Sequence, residues 1–146
     1  MKRAGFTMIE LIFVIVILGI LAAVAVPKLA ATRDDANIAK GASAVATVIS
    51  DVGAFYTAQG QIGDWKDMTN VKLLKADGSA ADDDNGTVKA FYVVNGVGCT
   101  GFVMTDIDGN LTVTADSNDT SVCKGINEAT KASAKVHQFG GSGVKW

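Results

Sequence analysis

The segment that decides the fold is residues 5–30, GFTMIELIFVIVILGILAAVAVPKLA. From Leu11 to Val26 it contains sixteen consecutive uncharged residues, nearly all of them apolar. About 20 apolar residues in a helix cross the roughly 30 Å hydrocarbon layer of a bilayer. The segment therefore predicts a membrane-spanning helix near the N-terminus. Its one anomaly is Glu10, because an unpaired carboxylate in lipid costs about 3 kcal/mol.

The remaining composition is that of a small, rather polar body. Of the 146 residues, 49% are hydrophobic and 19% are charged, and the apolar excess is concentrated in the N-terminal segment. A disordered chain is far less hydrophobic than this. The net charge is −2 and the basic block at the start is the short Lys2-Arg3 pair, so the sequence lacks the Lys/Arg stripe typical of nucleic-acid binding.

Three interpretations of the N-terminal segment compete. A secretory signal peptide has a basic start and a small-residue cleavage region, for which residues 22–25 qualify, but it does not carry a charge inside its apolar core. A plain transmembrane anchor also leaves Glu10 unexplained. A third interpretation accounts for Glu10 and for the residues around it.

Residues 5–13, GFTMIELIF, follow a short basic leader and resemble the prepilin signature of type IV pilins and type II secretion pseudopilins. The resemblance implies cleavage by a prepilin peptidase after Gly5, which removes a leader of residues 1–5. It also implies methylation of the new N-terminal amine on Phe6. The family's carboxylate falls on Glu10, whose implied role is to pair with the N-terminal ammonium of a neighbouring subunit and to set the register of assembly. Pro27 matches a proline that kinks or loosens the family's helix.

The helical pattern continues beyond Pro27. Apolar residues recur at three- and four-residue spacing and form one stripe of an amphipathic helix: Ile38, Ala42, Val45, Val48, Ile49, Val52, Phe55 and Tyr56. Gly60 is a typical C-terminal stop. We therefore predict one helix over residues 6–58, about 80 Å long, with a membrane-spanning or filament-core half at 6–27 and an amphipathic half at 28–58.

Residues 59–146 predict a β-rich globular head with a C-terminal loop, so the fold class is α+β, as in type IV pilins. Residues 61–87 are predicted to be a loop region pinned to the body by Trp65 and by the run at 71–74. Strand-like pieces follow at 88–94, 101–107 and 111–114, with a hairpin turn at 108–110, and three or four antiparallel strands are expected. The tail at 126–139 has weak helical spacing.

The chain has two cysteines, Cys99 and Cys123. An even count in an oxidising compartment favours a disulfide, and the alternative is a pair of buried thiols. The resemblance adds that type IV pilins commonly close a C-terminal loop in this way, whereas major pseudopilins generally lack the bond.

The sequence predicts no enzyme and no obligatory cofactor. His137 is the single histidine and no G-x-S-x-G motif occurs, so the usual nucleophile and zinc patterns are missing from the sequence. The acidic residues Asp106, Asp108 and Asp116 are weak candidates for a Ca²⁺ site, because major pseudopilins hold calcium in a C-terminal loop. The competing interpretation is ordinary turn chemistry, since the stretch lacks the glutamate that closes an EF-hand loop.

Three asparagines, Asn85, Asn110 and Asn118, begin N-x-T sequences, and each has an aspartate two residues before it. This pattern resembles the extended bacterial N-glycosylation sequon. The alternative is that acidic turn residues simply cluster with Asn and Thr.

The resemblance implies a structural subunit of a type IV pilus or pilus-like filament, polymerised through its apolar helix. Its expected partners are further copies of itself, a prepilin peptidase, an inner-membrane assembly platform with its ATPase, and lipid before assembly. The precursor is expected in the bacterial inner membrane with the head in the periplasm, and the product in an extracellular pilus or a periplasmic pseudopilus. Two alternatives are a type II secretion pseudopilin that drives protein export and an anchored periplasmic module that never polymerises.

Overall fold

The computed structural model describes residues 5–105, 109–116 and 119–140. Three α-helices, one 3-10 helix and four strands occur in this part of the chain. In chain order they are α1 (Met8–Gln59), α2 (Trp65–Met68), β1 (Ala90–Val94), β2 (Val97–Thr105), β3 (Asn110–Ala115), α3 (Ser121–Ala129), a 3-10 helix (Lys131–Ser133) and β4 (Val136–Gln138). The architecture is α+β, as the sequence predicts.

The chain divides into two compact units, Met1–Asp34 and Asp35–Trp146. Helix α1 has 52 residues and was predicted over 6–58, so its observed bounds differ by one or two residues at each end. It is continuous through Pro27. It ends where Gly60, with φ of +67°, donates its N–H to the carbonyl of Tyr56 at 2.8 Å. This left-handed glycine is the predicted stop.

In the second unit, one face of α1 belongs to the hydrophobic core. The predicted stripe is confirmed, because each of its residues is buried or half-buried. Two glycines that the stripe did not include, Gly41 and Gly53, are buried on the same helix. The core is completed by the sheet, by α3 and by the loop after α1, and its buried apolar residues outside α1 are Trp65, Met68, Leu73, Ala81, Ala90, Cys99, Phe102, Met104, Leu111, Val113, Val122, Cys123 and Ile126.

The sheet is a four-stranded antiparallel meander in the order β1-β2-β3-β4. Strand β2 was predicted to begin at Gly101, but it begins at Val97 and forms a hairpin with β1. The connection is Asn95-Gly96, with φ of 52° and 81°. Positive φ at both central residues is the geometry of the type I′ turn, whose twist matches that of paired strands.

The segment after the third strand departs from the predicted weak helix. Helix α3 ends at Ala129, the 3-10 turn follows, and β4 pairs with β3 through Leu111 and His137. The helical interpretation of 126–139 is therefore wrong beyond residue 129, because pairing with the β3 edge outweighs a weak local preference.

The loop after α1 is held in place at two buried residues, as predicted. Trp65 is 2% exposed and its Nε1 donates to the carbonyl of Val88 at 3.0 Å. Leu73 is 1% exposed. The neighbouring Leu74 exchanges two backbone hydrogen bonds with Phe91, so the outer edge of β1 is partly covered.

Candidate functional site

The start of α1 is closed by a reciprocal pair of residues, Thr7 and Glu10. The Glu10 carboxylate accepts hydrogen bonds from the Thr7 backbone N–H at 2.8 Å and from its hydroxyl at 2.6 Å. In return the Thr7 hydroxyl accepts from the Glu10 backbone N–H at 3.4 Å. This is a capping box, in which the side chains three residues apart satisfy each other's otherwise unpaired backbone donors. Helix α1 accordingly begins at Met8 and not at Phe6.

The capping box places the predicted cleavage site outside the helix. Gly5 and Phe6 precede the first turn, and the Phe6 side chain is 84% exposed. A peptide bond in non-helical chain is accessible to a protease without unwinding a helix. The cap was not foreseen, although its signal, a threonine followed three residues later by a glutamate and an apolar run, is visible in the sequence.

Glu10 keeps capacity for a further partner. An ionised carboxylate offers about four lone-pair directions, and Thr7 occupies two of them. The side chain is exposed within the chain. The predicted role of Glu10 in register therefore remains compatible with its cap, since one residue can close its own helix and still accept from a cation of another chain.

The first part of α1 is an uninterrupted apolar surface. Its large apolar side chains between Phe6 and Leu29 are each at least 48% exposed. Among the described residues α1 is the one helix long and apolar enough to cross a membrane, a test that an N-terminal signal sequence also passes. Burying such a surface gains about 25 cal/mol per Å², so it requires lipid or protein around it.

Pro27 lies within this apolar part of α1. It lacks the backbone N–H that would bond the carbonyl of Ala23, so one rung of the helical ladder is missing. The helix nevertheless continues on both sides, and the predicted kink remains a prediction.

Cys99 and Cys123 form a disulfide, with Cα atoms 4.8 Å apart. The bond joins β2 to α3, and both residues are completely buried. Helix α3 is oriented for this contact by its own N-cap, in which the Thr120 hydroxyl accepts from the backbone N–H of Cys123 at 3.3 Å. The structure therefore has the disulfide that the sequence favours over a pair of buried thiols.

Of the three weak calcium candidates, Asp116 is the one that lies in the part of the chain that the structure describes. Asp106 and Asp108 lie outside it. Asp116 is half-buried. Its backbone N–H donates to the carbonyl of Cys99, and its carbonyl accepts from the side-chain amide of Asn127. Within the described ranges no group of three metal-binding side chains occurs. Calcium binding stays a prediction.

His137 lies on β4, where its Nε2 is 2.9 Å from the carbonyl of Ser133 and its ring stacks on Phe139. These contacts give the histidine a structural setting. They fit the predicted absence of a histidine-based site without testing it.

The three predicted glycosylation sequons have different settings. Asn85 is exposed on a turn before β1, and Asn110 is the first residue of β3. Asn118 lies outside the described residues.

Comparison with known proteins supports the interpretation of the N-terminus. Residues 1–26 match the family model of the prokaryotic N-terminal methylation motif. The chain is also 46% identical, over 59 residues, to the type IV narrow pilus major component PilA5 of Thermus thermophilus. That similarity covers 40% of this chain and spans half the length of the relative. No solved structure matches the chain.

The geometry and the comparisons point to the same resemblance. A long N-terminal helix with a wholly exposed apolar half precedes a four-stranded antiparallel sheet. The methylation motif covers residues 1–26, which include the first part of this helix. The chain is thus type IV pilin-like, with a prokaryotic N-terminal methylation motif at residues 1–26.

Proposed function

We propose that this chain is the structural subunit of a type IV pilus or pilus-like filament. In this proposal a prepilin peptidase cuts after Gly5 and methylates the new amine on Phe6. The mature subunit then polymerises with further copies of itself. The methylation motif and the resemblance to a pilus major component support this assignment.

The observation that carries the proposal is the exposed apolar half of α1. No residue from Phe6 to Leu29 is buried within its own chain. In the precursor, lipid covers this surface, and in the filament, the helices of other subunits replace the lipid. Apolar helices from several copies then pack in a core without water.

Glu10 gives that packing a defined offset. A carboxylate in a water-free core needs a cation, and cleavage creates one at the amine of Phe6 in a neighbouring subunit. A buried ion pair adds little net stability but penalises misaligned packing, because each misalignment leaves a charge unpaired. Thr7 supplies the remaining hydrogen bonds to the same carboxylate.

The proposal assigns the precursor to the inner membrane with its head in the periplasm. Assembly then requires extraction from the bilayer by an assembly platform and its ATPase. The Cys99–Cys123 disulfide supports a head outside the cytoplasm, since such bonds persist in oxidising compartments.

Two observations favour a pilus over the pseudopilus of a type II secretion system. The disulfide links the sheet to the C-terminal region, as is common in type IV pilins. The relative that resembles this chain is a pilus component by its name.

Intact mass measurement of filaments sheared from the cell surface tests the proposal. We expect a subunit that begins at Phe6, is one methylene heavier than the unmodified chain and is two hydrogens lighter for the disulfide. An uncleaved chain beginning at Met1 and found only in membranes would contradict the proposal and favour a non-polymerising anchor.

Two variants separate the register role of Glu10 from its capping role. Glu10→Gln keeps an acceptor for Thr7 but removes the charge, and we expect it to be cleaved yet to form no filaments. Thr7→Ala removes the cap but keeps the charge, and we expect filaments to persist with a frayed first turn. If cells that express Glu10→Gln form filaments at the wild-type yield, Glu10 does not set the register of assembly.

A further inference from the structure

Asn85 lies on an exposed turn that carries the sequence Asp83-Asp84-Asn85-Gly86-Thr87. The backbone N–H of Val88 donates to the carbonyl of Asn85 at 2.8 Å, which closes a β-turn over residues 85–88. The asparagine therefore stands at the start of a chain reversal, outside the four strands of the sheet, and forms an isolated antiparallel bridge with Asp64.

The Asn85 side chain is held in one orientation by its own turn. Its Oδ1 accepts a hydrogen bond from the backbone N–H of Thr87 at 3.1 Å. This is the Asx-turn arrangement, in which the amide oxygen faces the following backbone. Because the oxygen faces the turn, the amide nitrogen Nδ2 lies on the opposite side of the amide group, and the residue is exposed.

The turn is fixed to the rest of the body through Gly86, so Asn85 is exposed without unfolding of the chain. Gly86 is buried and exchanges contacts with the loop after α1: its N–H donates to the carbonyl of Gly63 at 2.9 Å. Its own carbonyl accepts from the backbone N–H of Met104 on β2 at 2.8 Å. The side chain of Asp83, in contrast to the buried Gly86, is 85% exposed and pairs with Lys66.

Asn110 has the same sequence pattern in an opposite setting. Residues 110–112 lie on β3, which is paired on both sides, with Asn110 opposite Thr105 of β2 and Gln138 of β4. Leu111 between the sequon residues is completely buried, and the Asn110 Oδ1 is enclosed by protein. A turn at this asparagine would break both ladders and expose core.

We propose that Asn85 is an acceptor of an N-linked oligosaccharide in the folded chain and that Asn110 is not. The donor is a polyprenyl-diphosphate-linked oligosaccharide on the outer face of the membrane. A bond forms between Nδ2 of Asn85 and the anomeric carbon of the first sugar, and the bond from that carbon to the diphosphate oxygen breaks. The polyprenyl diphosphate leaves, and a base of the transferase takes the amide proton.

The acidic residue two positions before the asparagine completes the site. Asp83 offers its carboxylate to the solvent side of the turn, where a cationic group of a transferase can reach it in exchange for the exposed Lys66. This inference rests on the proposed function in one respect, the location of the head outside the cytoplasm. It does not depend on filament assembly.

The test uses the full chain in detergent micelles with its disulfide intact. All variants carry Asn118→Gln, which removes the sequon outside the described residues. The chain is incubated with a detergent-solubilised bacterial oligosaccharyltransferase and its lipid-linked oligosaccharide, and intact mass is measured. We expect one added glycan, lost in Asn85→Gln and kept in Asn110→Gln. An unmodified chain, or a glycan that persists in Asn85→Gln, overturns the proposal.

Two further arms examine the physical reasons. Asp83→Ala is expected to lower the modified fraction severalfold, while the neighbouring exposed Asp82→Ala leaves it unchanged, and equal behaviour of the two removes the role of Asp83. Asn85→Gln chain that has been reduced, alkylated and shown by near-UV circular dichroism to have lost its head packing is expected to accept a glycan at Asn110. If Asn110 stays unmodified there, the fold is not what selects Asn85. Filament formation is scored separately, so failure here leaves the proposed filament function standing.

Discussion

The side chain of Ile126 on α3 lies directly over Gly41 of α1. A Cβ atom on Gly41 would come within 2.7 Å of Cγ1 of Ile126 and still closer to its Cδ1. The relationship is reciprocal, because Gly125, the residue before Ile126, faces the side chain of Ile38, which lies one turn before Gly41 on α1. Each helix thus offers a glycine on which an isoleucine side chain of the other packs.

This contact predicts the effect of Gly41→Ala. Overpacking in a core costs about 1–3 kcal/mol, and the better helix propensity of alanine returns up to about 1 kcal/mol. We expect a net loss of about 1 kcal/mol in the free energy of unfolding, measured by urea denaturation of the full chain in micelles.

Two controls define that result. Gly19→Ala is expected to leave unfolding of the head unchanged, because a Cβ atom added at Gly19 meets no atom within 4 Å outside its own helix backbone. Ile126→Val, which removes Cδ1 but keeps Cγ1, is expected to restore part of the lost stability in the Gly41→Ala background. Additive effects of the two substitutions would show that the contact does not matter.

The disulfide predicts a larger effect. Replacing both Cys99 and Cys123 with alanine removes a cross-link between residues 24 apart in sequence. The chain-entropy model gives a loss of about 3 kcal/mol for a loop of this size. Urea denaturation of the double variant measures the loss, with reduced wild-type chain as the matched comparison. An unchanged midpoint would mean that the native packing alone fixes α3 against β2.

The β1–β2 connection predicts a conformational penalty. Gly96 has φ of 81°, and an L-residue in the left-handed region costs about 1–2 kcal/mol. We expect Gly96→Ala to lower thermal stability accordingly, while Asn95→Gly at the neighbouring positive φ is tolerated. Equal melting temperatures for Gly96→Ala and the wild type would contradict the type I′ assignment.

The ion pair between Lys66 and Asp83 predicts a pH dependence. The hydrogen bond and Coulombic attraction from Lys66 lower the pKa of the Asp83 carboxyl. A lowered folded pKa means that the contribution of this group to stability is present above the unfolded pKa and is lost as pH falls through the folded pKa. Both groups are exposed, so the contribution is small.

The measurement is a carboxyl NMR titration of Asp83. In Lys66→Met its pKa is expected to rise toward the ordinary value of 3.8. Asp77 is the internal control, because hydrogen bonds from Ser79 lower its pKa independently of Lys66. If the pKa of Asp83 is the same in Lys66→Met and in the wild type, the ion pair does not persist in solution.

The sequence predicts most of the helical part of this fold. An apolar run and a stripe at helical spacing carry their own period, so α1, its core-facing residues and its glycine stop are readable without tertiary information. The strands were less readable. Val97–Thr100 lies before the strongest apolar run, and the Asn95-Gly96 turn signal that precedes it was overlooked.

The tail shows where local sequence stops being informative. Residues 136–138 form a strand because the edge of β3 is open to them, and a tripeptide in which Val136 alone favours a strand is too short to predict that state. In the same way, Gly41 stands at helical spacing between Ile38 and Val45, but a glycine gives no apolar signal, and its burial depends on Ile126, which is distant in sequence. At the candidate site, the sequence singles out Glu10, and the hydrogen bonds that it accepts from Thr7 come from the coordinates.

The enclosed position of the disulfide sets an order of events. Cys99 and Cys123 are both without exposed surface, and thiol–disulfide exchange needs a nucleophile to reach a sulfur atom. An oxidising catalyst must therefore act before β2 and α3 close over the pair. Once the head has folded, a reductant in the surroundings must wait for it to open. Oxidation therefore belongs to the folding of the head, and the bond then stays out of reach of reductants for as long as the head remains folded.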